Sequence, residues 1–242
     1  MAGSKKKNRV LVAKSRAGLN HLFDVEGIEE LAEAFVAKSE GKFKSQVVNG
    51  ASFWSWLQSK STLAAINPKN CVQQFSGSCF RATTGQFNPL DVAGNLAAGG
   101  RFSVGGAQIQ SKILFPKLDM RAGLYAADSA DCARAEMQTG NLPAPHAKIS
   151  ELKTKRPLVL WTLDKVLAAL ARPELQQLVD ETPMDAIWAL QKVPRESQLL
   201  GAHLRLIGGD GIAYRSLRHP GGTVFCFFVD NQDHAKELFD AI

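Results

Sequence analysis

Two arginines, a glutamate and a serine are the residues of this chain whose types could act together in chemistry. The planar guanidinium groups of Arg81 and Arg101 suit the recognition of phosphate. The carboxylate of Glu136 can stabilise a developing positive charge, and the hydroxyl of Ser216 can hydrogen-bond a polar ligand. Taken singly, each has an ordinary alternative: a surface ion pair, a solvated acid on an alanine-rich helix, or a strand serine. Only their combination carries a functional argument.

The excess positive charge of the chain is confined to its N-terminus. The 242 residues contain 29 Lys and Arg against 23 Asp and Glu, which gives a net charge of +6. Six of the basic residues and none of the acidic ones lie in the first 16 positions, so the rest of the chain is neutral. A basic protein ordinarily suggests a nucleic-acid or anionic-membrane partner. Here the charge indicates only a basic flexible tail at residues 1–18.

The apolar residues predict a folded protein without a membrane-spanning segment. Hydrophobic residues make up 45% of the chain, which is enough to form a core. The longest strongly apolar run, Thr223–Val229, suits a buried strand and is far shorter than the roughly 20 residues of a membrane helix. No secretory signal is recognisable, because Arg16, Asn20 and His21 interrupt each apolar candidate. We therefore expect a cytoplasmic protein with no membrane partner.

Motifs of the common cofactor and metal sites are absent from the sequence. The glycine-rich stretch 99–106 lacks the Gly-Lys-Ser/Thr ending of a phosphate loop, no G-x-G-x-x-G follows a strand, and no G-x-S-x-G occurs. The four cysteines have no C-x-x-C spacing, and the five histidines have no H-E-x-x-H spacing. We therefore expect free, buried thiols, no metal and no bound cofactor.

The elements that must position the candidate residues mix short strands with helices. Strands are predicted at 79–82, 124–127, 158–163, 212–217 and 223–229. Helices are predicted at 25–38, 164–171, 173–179, 183–190 and 199–206, with one more that Asp128 and Ser129 can cap and that runs through Met137. Strand and helix do not alternate steadily, so the pattern favours an α+β fold over a doubly wound sheet.

An aromatic cluster, Phe53, Trp54, Trp56 and Leu57, marks the N-terminal part of the chain. We interpret it as the core of a small helical subdomain at residues 19–75, with an exposed partner-binding patch as the alternative. The remaining residues, 76–242, contain all four of the candidate chemical residues.

Five stretches, in this order along the chain, resemble the RES-domain family, which is named for its Arg, Glu and Ser. They are F-R-A at 80–82, G-x-x-x-x-G-G-R-F at 94–102, L-Y-A-A-D-S at 124–129 with Glu136 eleven residues after Tyr125, S-Q-x-L-G at 197–201, and G-I-A-Y-R-S-L-R-H-P-G-G at 211–222. The 20-residue separation of Arg81 and Arg101 is also similar. The chain departs from the family in an apparent insertion around 108–121 and in its N-terminal 75 residues, which the smallest members lack.

The resemblance implies a fold, an activity and a partner. The fold would be an ADP-ribosyltransferase-like split β-sheet core with surrounding helices, plus a small N-terminal helical extension, and residues 76–242 would be a RES-type NAD-binding catalytic domain. The activity would be that of a bacterial toxin that arrests growth by cleaving the nicotinamide–ribose bond of NAD+, with water or inorganic phosphate as acceptor. The partner would be an Xre-type antitoxin or an immunity protein, and nucleic acid would be contacted only through the antitoxin.

The chemistry of NAD+ then suggests roles for individual residues. Nicotinamide leaves as a neutral molecule, so the difficult species is the oxocarbenium-like ribosyl cation, which Glu136 can stabilise while it hydrogen-bonds the 2′-hydroxyl. Arg81 and Arg101 are expected to bind the pyrophosphate, with one of them as an alternative phosphate-acceptor site. Tyr125 is expected to stack on the nicotinamide ring or shape its pocket. Ser216 is expected to hydrogen-bond a ribose or carboxamide and not to act as a nucleophile.

The expected site therefore has two overlapping sets of residues. The catalytic set is Glu136, Arg81, Tyr125 and Ser216, and the NAD-binding set is Arg81, Arg101, Gly100, Phe102, Tyr125 and Ser216. Gly94, Gly99 and Gly100 are expected to let the backbone approach the dinucleotide closely. Arg218 and His219, beside a Pro-Gly-Gly turn, are interpreted as hairpin surface residues.

Two other functions stay open at this point. One is a mono-ADP-ribosyltransferase whose protein target is recognised by the insertion or by the N-terminal residues. The other is a non-catalytic module that binds nucleic acid through the basic tail, which would show binding with a steep salt dependence. The neutral charge of the folded part argues against the second.

Overall fold

The computed structural model describes residues 44–84, 87–106, 108, 114–118, 121–137, 147–172, 175–176 and 193–242. The predicted basic tail and the predicted helices at 25–38 and 183–190 lie outside the described residues. The predicted helix at 173–179 and the apparent insertion at 108–121 are described only in part.

Eight helices and eight strands make up the described part of the chain. The helices are α1 (Lys44–Leu57), α2 (Lys60–Ala65), α3 (Pro68–Cys71), α4 (Ala93–Ala98), α5 (Ala130–Glu136), α6 (Leu163–Leu170), α7 (Glu196–Leu206) and α8 (Gln232–Leu238). The strands are β1 (Val72–Phe75), β2 (Ser78–Thr84), β3 (Ala122–Ala127), β4 (Ala147–Thr154), β5 (Leu158–Thr162), β6 (Gly211–Arg215), β7 (Thr223–Val229) and β8 (Phe239–Ala241). The mixture confirms the predicted α+β class.

The strands form one mixed sheet in the order β1-β5-β6-β7-β3-β2-β4-β8. All neighbouring pairs are antiparallel except β5 and β6. Strand β3 pairs with β7 along its whole length, and β2 pairs likewise with β4, but β2 and β3 meet only at Phe80 and Ala127. The sheet therefore divides at this junction into a mixed group, β1-β5-β6-β7-β3, and an antiparallel group, β2-β4-β8, as the predicted split sheet requires.

Two hydrophobic cores lie on opposite faces of the sheet, and β7 contributes to both. Val224, Cys226 and Phe228 belong to one core, whereas Phe225 and Phe227 belong to the other. This alternation follows from the two-residue period of a strand and explains why nearly all of β7 is buried. All four cysteines are free and buried, as predicted.

The described N-terminal residues pack into the first of these cores. Phe53, Trp54 and Leu57 of α1 are fully buried in a cluster that also contains Trp161 of β5. Strand β1 pairs with β5 at the edge of the sheet. The boundary of a separate subdomain at residue 75 stays a prediction. The described residues before that boundary, from 44 onwards, share their core with the rest of the fold.

Two differences from the predicted elements matter for the site. The sequence pattern does not predict strand β4, because Lys148, Glu151 and Lys153 interrupt its apolar residues. Strand β6 ends at Arg215, two residues earlier than predicted, so Ser216 lies just beyond the strand. Among the described residues, no helix combines the length and the apolar composition needed to span a membrane.

Candidate active site

A cavity of about 440 Å³ lies at the junction where the two halves of the sheet meet. Its walls come from β2, β3, the C-terminal end of α5, the loop after α4 and the neighbouring strands β6 and β7. Glu136, Arg101, Tyr125 and Gly100 all line it, so the fold brings four of the seven expected site residues to one cavity.

Glu136 is the last residue of α5, a short helix that is held by an N-terminal cap and by packing against the sheet. The side chain of Ser129 caps its N-terminus by accepting a hydrogen bond from the backbone N–H of Cys132. Cys132, Ala133 and Ala135 are buried where the helix packs against β2 and β3. The half-buried carboxylate of Glu136 is thereby held at the wall of the cavity.

The hydroxyl of Ser216 orients this carboxylate. It donates a hydrogen bond of 2.6 Å to Oε1 of Glu136 and accepts hydrogen bonds from the backbone N–H groups of Arg218, at 3.1 Å, and His219, at 2.8 Å. Oε2 of Glu136 accepts no hydrogen bond from any described residue. One carboxylate oxygen is therefore held in place, while the other can interact with a ligand.

This arrangement corrects two expectations from the sequence. The single donor of the Ser216 hydroxyl is committed to Glu136, so Ser216 is not arranged to donate to a ribose or a carboxamide. Arg218 is not merely a hairpin surface residue, because its Nη1 donates to the backbone carbonyl of Glu136 at 2.9 Å. The turn after β6 thus supports both the side chain and the backbone of the acid.

Arg101 is the basic residue of the cavity wall. It is only 9% exposed, and its Cζ lies 5.5 Å from the centroid of the Tyr214 ring, a distance suited to a cation–π contact. Tyr214 also lines the cavity and packs edge-on against Phe102. Burial raises the pKa of Tyr214, so its phenol stays neutral beside the guanidinium. Tyr214 lies in the stretch 211–222 that resembles the RES-domain family, but its position in the sequence indicates no role for it.

Arg81 lies beside this cavity and not in its wall. Its Nη1 and Nη2 donate to the backbone carbonyls of Pro89, at 2.9 Å, and Asp91, at 2.8 Å. Burial lowers the pKa of Arg81 to about 10, only partly offset by the charge of Asp91, so the guanidinium remains protonated at neutral pH. Arg81 lines an adjoining cleft of about 350 Å³.

Tyr125 connects β3 to the glycine loop, by which we mean residues 99–105. Its hydroxyl accepts a hydrogen bond of 2.9 Å from the backbone N–H of Phe102. A Cβ added to Gly100 would come within 2.6 Å of that hydroxyl oxygen. Burial holds the pKa of Tyr125 well above its usual value, so the phenol keeps its proton. Gly100 is required first for packing against Tyr125, a different reason from the expected approach of a dinucleotide.

Phe102 occupies another place than expected. It is 1% exposed, packs against Tyr214 and is absent from the wall of the main cavity. It belongs to the glycine loop, its side chain is buried in the core, and a Cβ on Gly201 of α7 would collide with its backbone. The side chain of Phe102 therefore anchors the glycine loop in the core and is not placed to touch a ligand in this cavity.

Gln198 is a functional candidate to which the sequence assigned no role. Its Nε2 donates to the carbonyls of Gly100 and Ser103, each at 2.9 Å, and its Oε1 accepts from the backbone N–H of Arg195 and from Nε2 of Gln108. The fully buried side chain thus ties the glycine loop to α7. The detectable signal was a glutamine three positions after a helix N-cap, which is half of a capping box.

The family assignment follows from a comparison of the sequence with protein-family models. The model described as the RES domain matches residues 78–240, which is more than half of the chain. The chain belongs to the RES domain family. This RES domain contains both arginines, the glutamate and the serine of the candidate site.

Comparison with solved structures supports the fold of this RES domain protein. A chain in the crystal structure of the M. tuberculosis MbcT-MbcA toxin-antitoxin complex matches with a TM-score of 0.52 and 14% sequence identity. The match covers 76% of this chain and 92% of that chain. At this identity the similarity concerns the fold. The comparison with curated protein sequences finds no significant match.

Proposed function

We propose that this RES domain protein cleaves the nicotinamide–ribose bond of NAD+. The observation that carries the proposal is the orientation of Glu136, whose Oε1 is held by Ser216 while Oε2 has no hydrogen-bond partner among the described residues. The same cavity wall contains the guanidinium of Arg101 and the two tyrosines, Tyr125 and Tyr214. A fixed carboxylate and an arginine in one cavity suit a substrate that combines a cationic reacting centre with phosphates.

Bond cleavage needs no general acid in this chemistry. The bond between ribose C1′ and the nicotinamide nitrogen breaks, and nicotinamide leaves with the electron pair as a neutral molecule. Positive charge develops on the ribose, as in glycoside hydrolysis. The free oxygen of Glu136 stabilises that charge and accepts a hydrogen bond from the 2′-hydroxyl, an interaction that strengthens as the cation forms.

The second half of the reaction depends on the acceptor. Water adds to C1′ and releases a proton, which gives ADP-ribose, whereas inorganic phosphate gives ADP-ribose 1″-phosphate. Arg101 and Arg81 bring positive charge to the site and to the adjoining cleft, where they can bind the pyrophosphate of the substrate. In this proposal NAD+ is a substrate that is consumed, not a resident cofactor.

We further propose that the activity is that of a toxin controlled by an antitoxin. Membership of the RES family supports this role, and so does the fold similarity to a chain of a complex whose title names a toxin and an antitoxin. Expression of the active protein alone should then deplete NAD+ and arrest growth. Co-expression of the product of an adjacent gene, expected to be an Xre-type protein, should restore growth.

The decisive test is Glu136→Gln, measured by release of free nicotinamide from NAD+ with and without phosphate. Because the charge is lost and the shape is kept, we expect a loss of at least about 100-fold in kcat with little change in stability. The control is Asp131→Asn, which removes an exposed acid from the same helix and should retain wild-type turnover. Wild-type turnover by Glu136→Gln would refute the mechanism. Turnover that requires a macromolecule would instead favour an ADP-ribosyltransferase.

A further inference from the structure

The adjoining cleft of about 350 Å³ is continuous with the cavity of about 440 Å³ that Glu136 lines. The two share four wall residues, Ala82, Asn95, Gly99 and Met137. The acidic group that suits the reacting ribose, Glu136, lines only the first space, whereas Arg81 lines only the second. A dinucleotide whose nicotinamide ribose lies at Glu136 can therefore extend past the shared wall into the second cleft.

An exposed aromatic ring stands in that second cleft. Phe87 is 58% exposed and lines the cleft together with Arg81. Among the described residues, the other large hydrophobic side chains with high exposure are all aliphatic. The exposure of a phenylalanine is unfavourable in water and gains nothing for the core. An aromatic ring that lines a cleft offers a flat apolar surface to a ligand.

The backbone beside Phe87 is held by contacts that involve the predicted site itself. The Phe87 N–H donates to the carbonyl of Thr84 at 3.0 Å, and the Arg81 guanidinium binds the carbonyls of Pro89 and Asp91. Oδ1 of Asn88 accepts a hydrogen bond of 2.8 Å from the backbone N–H of Leu90. Hydrogen bonds therefore hold the backbone on both sides of Asn88, at Phe87 and at Pro89, and the aromatic ring of Phe87 projects from this anchored backbone.

We propose that Phe87 is the platform on which the adenine base of the dinucleotide stacks, an inference that rests on the proposed NAD+ cleavage. In this arrangement the bond to be cleaved lies at Glu136, the pyrophosphate passes the shared wall near the two arginines, and the adenosine half occupies the cleft beside Phe87. The base is recognised by its flat face, as when bases stack on aromatic side chains in nucleic-acid-binding proteins. Phe87 thereby selects dinucleotides over the mononucleotide.

The test compares two substrates that contain the same scissile bond. Nicotinamide release is measured from NAD+ and from nicotinamide mononucleotide, which lacks the adenosine half, for wild type, Phe87→Ala and Phe87→Trp. We expect Phe87→Ala to raise the KM for NAD+ about tenfold with kcat nearly unchanged. The kinetics with the mononucleotide should stay the same. Phe87→Trp should retain wild-type kinetics with NAD+, because its ring can also stack.

Inhibition by AMP supplies a second measurement that does not depend on mononucleotide turnover. AMP should compete with NAD+ in the wild type and bind about tenfold more weakly to Phe87→Ala. The matched control is Leu63→Ala, which removes another exposed apolar side chain, on α2, and should change neither KM nor AMP inhibition.

The outcomes separate this inference from the proposed function. If the wild type releases nicotinamide from neither substrate, the proposed function fails. If the wild type cleaves NAD+ while Phe87→Ala retains its KM and its AMP inhibition, the adenine platform is refuted. An equal loss with both substrates also refutes it, because a ring that only supports the fold would not distinguish them.

Discussion

The serine of the RES pattern acts on the glutamate in this structure. Ser216 donates to Oε1 of Glu136 and is itself held by two backbone N–H groups of the turn that follows β6. A hydroxyl with its donor and its acceptors all engaged is a positioning group. The distinction from a group that binds substrate is measurable, because the two roles affect kcat and KM differently.

We predict that Ser216→Ala lowers kcat for NAD+ about 100-fold and leaves KM nearly unchanged. The variant keeps the carboxylate charge but loses the hydrogen bond that fixes its direction, and small misplacements of a reacting group are costly. It also leaves the N–H groups of Arg218 and His219 without their acceptor, so we expect a loss of about 1–3 kcal/mol in the free energy of unfolding.

The double variant Ser216→Ala/Glu136→Gln provides the control for this prediction. If Ser216 acts through Glu136, the double variant should be no slower than Glu136→Gln alone, since residues that act as a unit are not additive. A rise in KM with kcat preserved would show that Ser216 binds substrate directly, and the positioning role would be wrong.

At the residue scale, the sequence could predict which residue types meet but not where their donors point. The order of Arg81, Arg101, Glu136 and Ser216 indicated one site. In the fold, Arg101 and Glu136 line one cavity and Ser216 hydrogen-bonds that glutamate, whereas Arg81 lies beside the cavity. The hydrogen bonds of Arg81 to the Phe87–Asp91 loop depend on where that loop folds back. That is set by long-range packing, which residue spacing does not encode.

At the scale of elements, the glycine loop is held by side chains from two separate elements of the fold. Tyr125 binds it from β3 and Gln198 from α7. Gly99, with φ of 78°, ends α4 in a conformation that favours glycine. The loop is therefore held from both sides, which fixes Arg101 at the cavity wall.

We predict that Gly100→Ala destabilises the protein by about 1–3 kcal/mol and reduces turnover. The new methyl group would lie 2.6 Å from the Tyr125 hydroxyl oxygen, so either the tyrosine or the loop that contains Arg101 must shift. Urea unfolding gives the stability change, and nicotinamide release gives the activity.

Gly94→Ala serves as the matched control for stability. Apart from its chain neighbours and the backbone of α4 itself, no described atom lies within 4 Å of the position its Cβ would occupy, so alanine there should leave stability unchanged or raise it by up to about 1 kcal/mol. Equal stability of the two variants would mean that Tyr125 and the loop can rearrange without cost, contrary to the packing described.

At the scale of the whole molecule, the strongly apolar strands were the most predictable elements. β7 has the predicted bounds, and β5 begins as predicted and ends one residue earlier, because continuous apolar runs in short segments favour buried strands. Strand β4 was missed because charged residues occur along it. The single-pair junction of β2 with β3, which creates the cavity, depends on strand order and register, and sequence periodicity does not encode either.

His203 of α7 links the stability of the whole fold to pH. It is 1% exposed, lies edge-on to Trp54 of α1, and its Nδ1 is 3.1 Å from Nε2 of Gln58. Its Nε2 is buried without a hydrogen-bond partner in the described part of the chain. No acid faces it there, so burial lowers the pKa of His203 to about 4 from its ordinary 6.5. The folded protein therefore holds this histidine neutral at a pH where the unfolded chain binds a proton.

We predict that His203 makes the fold less stable as the pH falls from 6.5 towards 4. Its contribution is fully present above pH 6.5, is lost progressively below it, and amounts to about 2–3 kcal/mol between pH 7.5 and pH 4.5. Urea unfolding at these two pH values should therefore show a smaller acid-induced loss for His203→Leu than for the wild type, by that amount. Comparing the pH-dependent difference within each protein cancels any constant effect of the substitution on packing. An equal acid-induced loss in both proteins would mean that His203 binds its proton as readily in the fold as in the unfolded chain, and that the contact between α1 and α7 tolerates a charge.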